Sequence, residues 1–185
     1  VQPNIVFITN PASFHVDIAL KAANAGCHLF IEKPLGISQD GIDELIDVVD
    51  QNHLVALVAY QLRFHPGLRQ INSWLIEGRI GQPILANIVL GEYLPDFHPY
   101  EDYRGLYCSK RELGGGVVMT QIHELDLLIH LFGTPESVYA LGGHLSELEI
   151  DVEDSVDILM RKKDMSLSLR MDYLQKPRRR SGVIY

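Results

Sequence analysis

Apolar positions alternate between short runs and helical stripes over the first third of the chain. Asn4-Ile5-Val6-Phe7-Ile8-Thr9 is a β-branched and aromatic run that reads as a buried strand. Asn10-Pro11 breaks it, and Ser13 is placed to cap a helix carrying Val16, Ala19, Leu20 and Ala23 at helical spacing until Gly26 stops it. His28-Leu29-Phe30-Ile31-Glu32 is a second strand, ending at Lys33-Pro34. Ser38 then opens a helix with Ile42, Leu45, Ile46 and Val49 on one stripe, and Leu54 to Tyr60 is the third strand. Strand, helix, strand, helix, strand predicts two βαβ units and so a parallel sheet covered on both faces. Three strands are few for such a sheet, so the expectation is that strand partners lie upstream and that the chain is a fragment.

After Pro66 the pattern changes. A helix near Leu68 to Ile76 ends at Gly78, and Gly81-Gln82-Pro83 leads into a strand near Ile84 to Leu90. Pro95 to Arg104 reads as a long surface loop facing a substrate; Tyr93, Phe97, Tyr100 and Tyr103 either stack on a sugar ring or, more simply, pack on the sheet. Gly114 to Gly116 precede a helix whose inner face carries Val118, Ile122, Leu125 and Ile129, and which stops at Gly133-Thr134-Pro135. Strands follow at Ser137 to Gly142, Ser155 to Arg161 and Met165 to Tyr173, with Lys162-Lys163-Asp164 as a hairpin turn and Val183 to Tyr185 as a strand just beginning. The expected class is α/β, a parallel half followed by an α+β half with a mostly antiparallel sheet.

The chain of 185 residues has 24 acidic and 16 basic side chains, a net charge of −8, which argues against nucleic acid as a partner. With 46% hydrophobic and 22% charged residues it has the composition of a globular protein. Its longest apolar run, Leu54 to Tyr60, falls far short of the roughly 20 residues that span a bilayer, and no apolar signal segment follows a charged start. No membrane and no export are expected. Cys27 and Cys108 lack C-x-x-C spacing, and so few cysteines suit a reducing compartment; the expected location is cytoplasmic.

Ligands of open parallel sheets lie beyond the carboxyl ends of the strands, and two polar clusters fall there. The first is Asn10 and His15 with Glu32-Lys33-Pro34. Lys33 is either a solvated lysine or one held by its neighbours, since the proline restricts its backbone and a cis bond is open to it. The second is Gly114-Gly115-Gly116 with Thr120, His123, Glu124 and Asp126, where glycines admit a ligand close to the backbone and a helix start favours an anion. His123 reads either as a general base or as a packed helix histidine. His123, Asp126 and His130 share a helix face, but no further Cys or His completes a shell, and no metal is expected. Lys176, Arg178, Arg179 and Arg180 form a solvated turn or a phosphate contact.

Five ordered motifs resemble the glucose/fructose oxidoreductase, inositol dehydrogenase and rhizopine catabolism (Gfo/Idh/MocA) family of dehydrogenases. They are Thr9-Asn10-Pro11-Ala12-Ser13-Phe14-His15, the Ala25 to Leu35 stretch with Glu32-Lys33-Pro34, Tyr60-Gln61-Leu62-Arg63-Phe64-His65-Pro66, Glu77 to Pro83, and Gly114 to Asp126. The resemblance implies the second half of a Rossmann-type sheet (1–61) joined to a substrate-binding and oligomerisation domain (62–185) that is incomplete at its C-terminus. It implies hydride transfer between NAD or NADP and a hydroxyl-bearing carbon of a sugar, cyclitol or sugar derivative, in a homo-oligomer, dimer or tetramer. By the same resemblance Lys33 and His123 are catalytic: Lys33 steadies charge developing on the reacting oxygen and His123 exchanges its proton. Asn10, His15, Glu32, Lys33, Pro34, Gln61 and Arg63 line the cofactor.

Three features depart from that pattern. Thr120 stands where the family usually has an aspartate, the spacing to His123 is one residue shorter than the commonest, and no G-x-G-x-x-G turn is present to cradle a pyrophosphate. By this reading the 185 residues hold half a dinucleotide site, and the fragment alone is inactive. The alternative is a sugar-binding or scaffold module that lost the cofactor half and its redox chemistry.

Overall fold

The computed structural model describes residues 2–185. Strands β1 (Ile5–Ile8), β2 (His28–Ile31) and β3 (Ala56–Val58) form a parallel sheet in that order, linked by α1 (His15–Asn24) and α2 (Ile42–Gln51). Ile8, Leu29 and Ile31 pack with Ala19, Ala23 and Leu45 of the two helices. The expectation of helices on both faces is corrected: the strand order never reverses, so two right-handed crossovers fall on the same side. Ile5, Phe7 and Leu57 are exposed, and Phe7 meets Phe30 with ring centroids 5.1 Å apart. Ser13 does not cap α1. A 3-10 turn at Ala12–Phe14 enters the helix instead, and the serine hydroxyl is buried without a partner.

The second unit opens with α3 (Pro66–Ile76), where the His65 ring accepts a hydrogen bond from the Gly67 amide. Strands β4 (Leu85–Gly91), β5 (Ser137–Gly143), β6 (Ser155–Lys162), β7 (Met165–Asp172) and β8 (Arg179–Ile184) form one sheet in the order β5-β6-β7-β4-β8. Only the β4–β7 pair is parallel. Opposed pairs such as Ile158 with Leu169 and Ala86 with Leu167 put one face into a core completed by Val117, Leu128 and Tyr173. Tyr139, Leu141 and Leu159 point to the other face and are exposed. The class is thus α/β, a Rossmann-type parallel sheet followed by a mostly antiparallel one. No helix among the described residues is long and apolar enough to cross a membrane.

Two local expectations are corrected. The basic cluster is only in part the expected solvated turn: Lys176 to Arg178 are exposed between strands, but β8 begins at Arg179, which pairs with Gly91, and the chain then runs antiparallel to β4. The single helix expected after the glycines is two, α4 (Val117–Thr120) and α5 (His123–Phe132), broken at Gln121-Ile122. The break turns Glu124, Leu127 and Leu128 inward and leaves Ile129 exposed. In the aromatic loop Tyr93, Phe97 and Tyr103 pack against the core, while Tyr100 is exposed.

Candidate active site

The carboxyl ends of β1 and β2 open into a cleft of about 200 Å³ lined by Thr9, Asn10, Pro11, Ala12, His15, Glu32, Lys33 and Tyr107. His15 ties its walls together. The ring is buried, with Nδ1 at 2.7 Å from the Pro34 carbonyl and Nε2 at 2.7 Å from that of Asn10, so it joins the exit of β1 to that of β2. The Lys33-Pro34 bond is cis. Lys33 Nζ donates to the Thr120 carbonyl at 2.7 Å, which brings the end of β2 to the end of α4. Burial lowers the Lys33 pKa, opposed by the Glu32 carboxylate and by Cys108. A half-buried ammonium fixed at one point is suited to meet negative charge developing on a nearby oxygen.

His123 opens α5, and its Nδ1 is buried without a partner. Burial pushes its pKa down to about 4, with help from the positive charges of Lys33 and Arg180 and against the pull of Asp126. The imidazole is therefore neutral across the physiological range and free to accept a proton. Its edge meets the Tyr60 ring at a centroid distance of 6.1 Å, and the Arg63 guanidinium lies over that ring at 5.5 Å. Arg63 forms a bidentate ion pair with Asp126, one turn along α5 from His123. Asp126, Arg63 and Tyr60 thus make a brace for the histidine.

Of the residues assigned by resemblance, Asn10, His15, Glu32 and Lys33 share the cleft; Pro34 contributes its carbonyl to the frame. Two are corrected. Gln61 is exposed at the start of a 3-10 turn, outside the cleft lining, and Arg63 spends its charge on Asp126. The glycines also leave no space for a ligand. A Cβ on Gly115 would stand 2.6 Å and 2.7 Å from the carbonyl oxygens of Tyr107 and Cys108, and one on Gly116 would collide with the Glu153 carboxylate. That carboxylate accepts from the Val118 amide at 3.1 Å, filling the anion position at the helix start. Lys176, Arg178 and Arg180 pair with Asp96, Glu92 and Glu124, whereas the Arg179 side chain meets only the Ser181 hydroxyl among the described residues, so three of the four cations offered for a phosphate are already paired. No group of three His, Cys, Asp or Glu residues able to hold a metal converges among the described residues.

Sequence reasoning missed Tyr107 as a cleft residue and gave neither Tyr60 nor Arg180 its observed partner. A tyrosine in a loop carries no periodic signal, and the other two act through pairings distant in sequence. The His123 environment sets a pH expectation: its imidazole should titrate near pH 4 by NMR, and any acid limb of activity that it controls should lie there. A titration midpoint in the ordinary histidine range would remove the proposed desolvation.

The fold and cleft are those of a Rossmann-type oxidoreductase, and residues 1–60 match the oxidoreductase family, NAD-binding Rossmann fold. Residues 68–184 match the GFO/IDH/MocA C-terminal domain, and the chain belongs to the Gfo/Idh/MocA family. It is 30% identical over 141 residues to the uncharacterized oxidoreductase YrbE of Bacillus subtilis (strain 168), covering 76% of this chain and 39% of that protein. It is 25% identical over 174 residues to the myo-inositol 2-dehydrogenase of Thermotoga maritima, covering 91% of this chain and 49% of the enzyme. The WlbA dehydrogenase from Bordetella pertussis, solved in complex with NADH and UDP-GlcNAcA, superposes with a TM-score of 0.86 at 25% identity, covering 98% of this chain and 52% of that one. The chain spans half or less of the two relatives compared by sequence and about half of the solved structure.

The residues present fit a nucleotide cofactor such as NAD(P). The cleft lies where such sheets bind nucleotides, and it offers the Asn10 and Glu32 side chains as polar partners.

Proposed function

We propose that the whole protein is an NAD(P)-dependent dehydrogenase acting on a hydroxyl-bearing carbon of a sugar, cyclitol or sugar derivative. The observation that carries this reading is the Lys33 ammonium held on the Thr120 carbonyl at 2.7 Å, with a neutral His123, its Nδ1 unpartnered, near enough for the Lys33 charge to lower its pKa. NAD(P), when bound, supplies the acceptor for the hydride leaving the substrate carbon. Asn10 and Glu32 bind its nicotinamide and ribose, with His15 and Pro34 holding the wall behind them. Lys33 donates to the reacting oxygen and lowers the energy of its developing charge; His123 accepts the hydroxyl proton at a ring nitrogen. Thr120 carries no charge for this work and contributes its carbonyl as the anchor of Lys33.

The two sheets correspond, in this reading, to a cofactor domain and a substrate domain meeting near Gln61. The protein works in the cytoplasm, where the free thiols of Cys27 and Cys108 stay reduced. The exposed Tyr139, Leu141 and Leu159 on the large sheet take a second copy of the chain, and a monomeric mass by light scattering would contradict this.

The deciding experiment follows reduced nicotinamide with NAD or NADP and a panel that includes myo-inositol and levoglucosan. Substrate-dependent reduction supports the dehydrogenase. Sugar binding without cofactor binding or turnover would instead favour the non-catalytic module.

A further inference from the structure

Tyr107 stands apart among the residues lining the cleft. The others come from the ends of β1 and β2, whereas Tyr107 arrives from the second unit, 74 positions beyond Lys33 in the chain. Its backbone is fixed. The Lys110 amide donates to its carbonyl at 3.0 Å, and the Gly116 amide donates to the neighbouring Cys108 carbonyl at 3.0 Å. Gly115 presses directly on both carbonyls, closely enough that no other residue fits there without displacing backbone. The triple glycine therefore holds the Tyr107 turn against the segment that carries Thr120, whose carbonyl anchors Lys33. The residue keeps 42% of its surface exposed although it lines a cleft. A large aromatic face left accessible beside an ammonium and a carboxylate is suited to one side of a flat, hydroxylated ring: its C–H face packs on the aromatic while its hydroxyls meet the charges.

We propose that Tyr107 is the substrate-positioning residue of this site, holding the carbon-bearing ring of a sugar or cyclitol against Lys33. The proposal rests on the dehydrogenase reading above and goes further by assigning the wall contributed by the second unit. Burial, Cys108 and Glu32 all raise the phenol pKa, so the side chain stays neutral and acts through its ring.

The test compares the whole protein with Tyr107→Phe, Tyr107→Leu and Tyr107→Ala, using myo-inositol and levoglucosan as substrates and NADH fluorescence for cofactor affinity. Tyr107→Phe should keep KM within about threefold, because the ring is retained. Tyr107→Leu and Tyr107→Ala should raise the sugar KM about tenfold or more and leave NADH affinity unchanged. A sugar KM unchanged in both ring-deleted variants overturns the proposal, as does a loss confined to NADH affinity. Equal damage by Tyr107→Phe and Tyr107→Leu also overturns it, by assigning the effect to the hydroxyl. Should the wild type turn over neither sugar and bind no NADH, the dehydrogenase reading fails first, so the two failures are distinguishable.

Discussion

Lys33→Ala should lower kcat of the whole protein by about 10²-fold or more. Lys33 is held from both sides: its backbone is fixed by Pro34 and its amide donates to the Glu32 carboxylate at 3.2 Å, while Nζ reaches the Thr120 carbonyl. A charge so placed costs little to reorganise when the reacting oxygen becomes negative, and partial burial strengthens its field. Because the contact matters most in the transition state, kcat and kcat/KM should fall together and the sugar KM should change little. Lys33→Arg should not restore the rate, since a planar fork cannot occupy the point filled by an ammonium. The same deletion removes one of the charges holding the His123 pKa down, so the imidazole should titrate at higher pH in the variant. Steady-state kinetics with the better of the two substrates tests the first claim. An unchanged kcat would remove Lys33 from the chemistry.

What was legible in the sequence follows the range of the interactions involved. The strands β1 to β7 appear as local apolar runs, and Glu32-Lys33-Pro34 falls at a strand end by simple counting. The contacts that assemble the site are distant: Lys33 meets Thr120 across 87 residues, and Arg63 meets Asp126 across 63. Nothing in the spacing of Arg63 reveals that it pairs with a carboxylate; that partner is brought to it by the fold. Residue type misled at the glycines, where freedom for a ligand and freedom for close chain packing have the same sequence signature. Strand β8 was legible only toward its end, at Val183 to Tyr185, because its arginines look like a solvated turn until the register sends Arg180 toward Glu124. The face taken by α1 and α2 was equally invisible, because it depends on strand order and not on the helices' own pattern.

Arg180→Met should destabilise the chain by about 3 kcal/mol near neutral pH, through the carboxylate it leaves behind. Glu124 is 0% exposed, and Arg180 Nη2 lies 2.8 Å from its Oε1. Burial raises the Glu124 pKa, and Arg180 holds the rise in check. Without the arginine the folded pKa climbs further while the unfolded value stays in the ordinary glutamate range. Between those two values the native state binds the proton that the unfolded state has lost, so stability falls as pH rises through that window. The deficit of the variant relative to wild type should therefore be smaller near pH 5 than at about pH 8. Replacing both members, Arg180→Met with Glu124→Leu, should recover most of the loss, because an apolar pair leaves no charge to bury. Urea unfolding of the four members of this cycle at both pH values measures the coupling directly. A deficit of equal size at both pH values, or one that the double variant does not relieve, would assign the role of Arg180 to packing of its aliphatic stem instead.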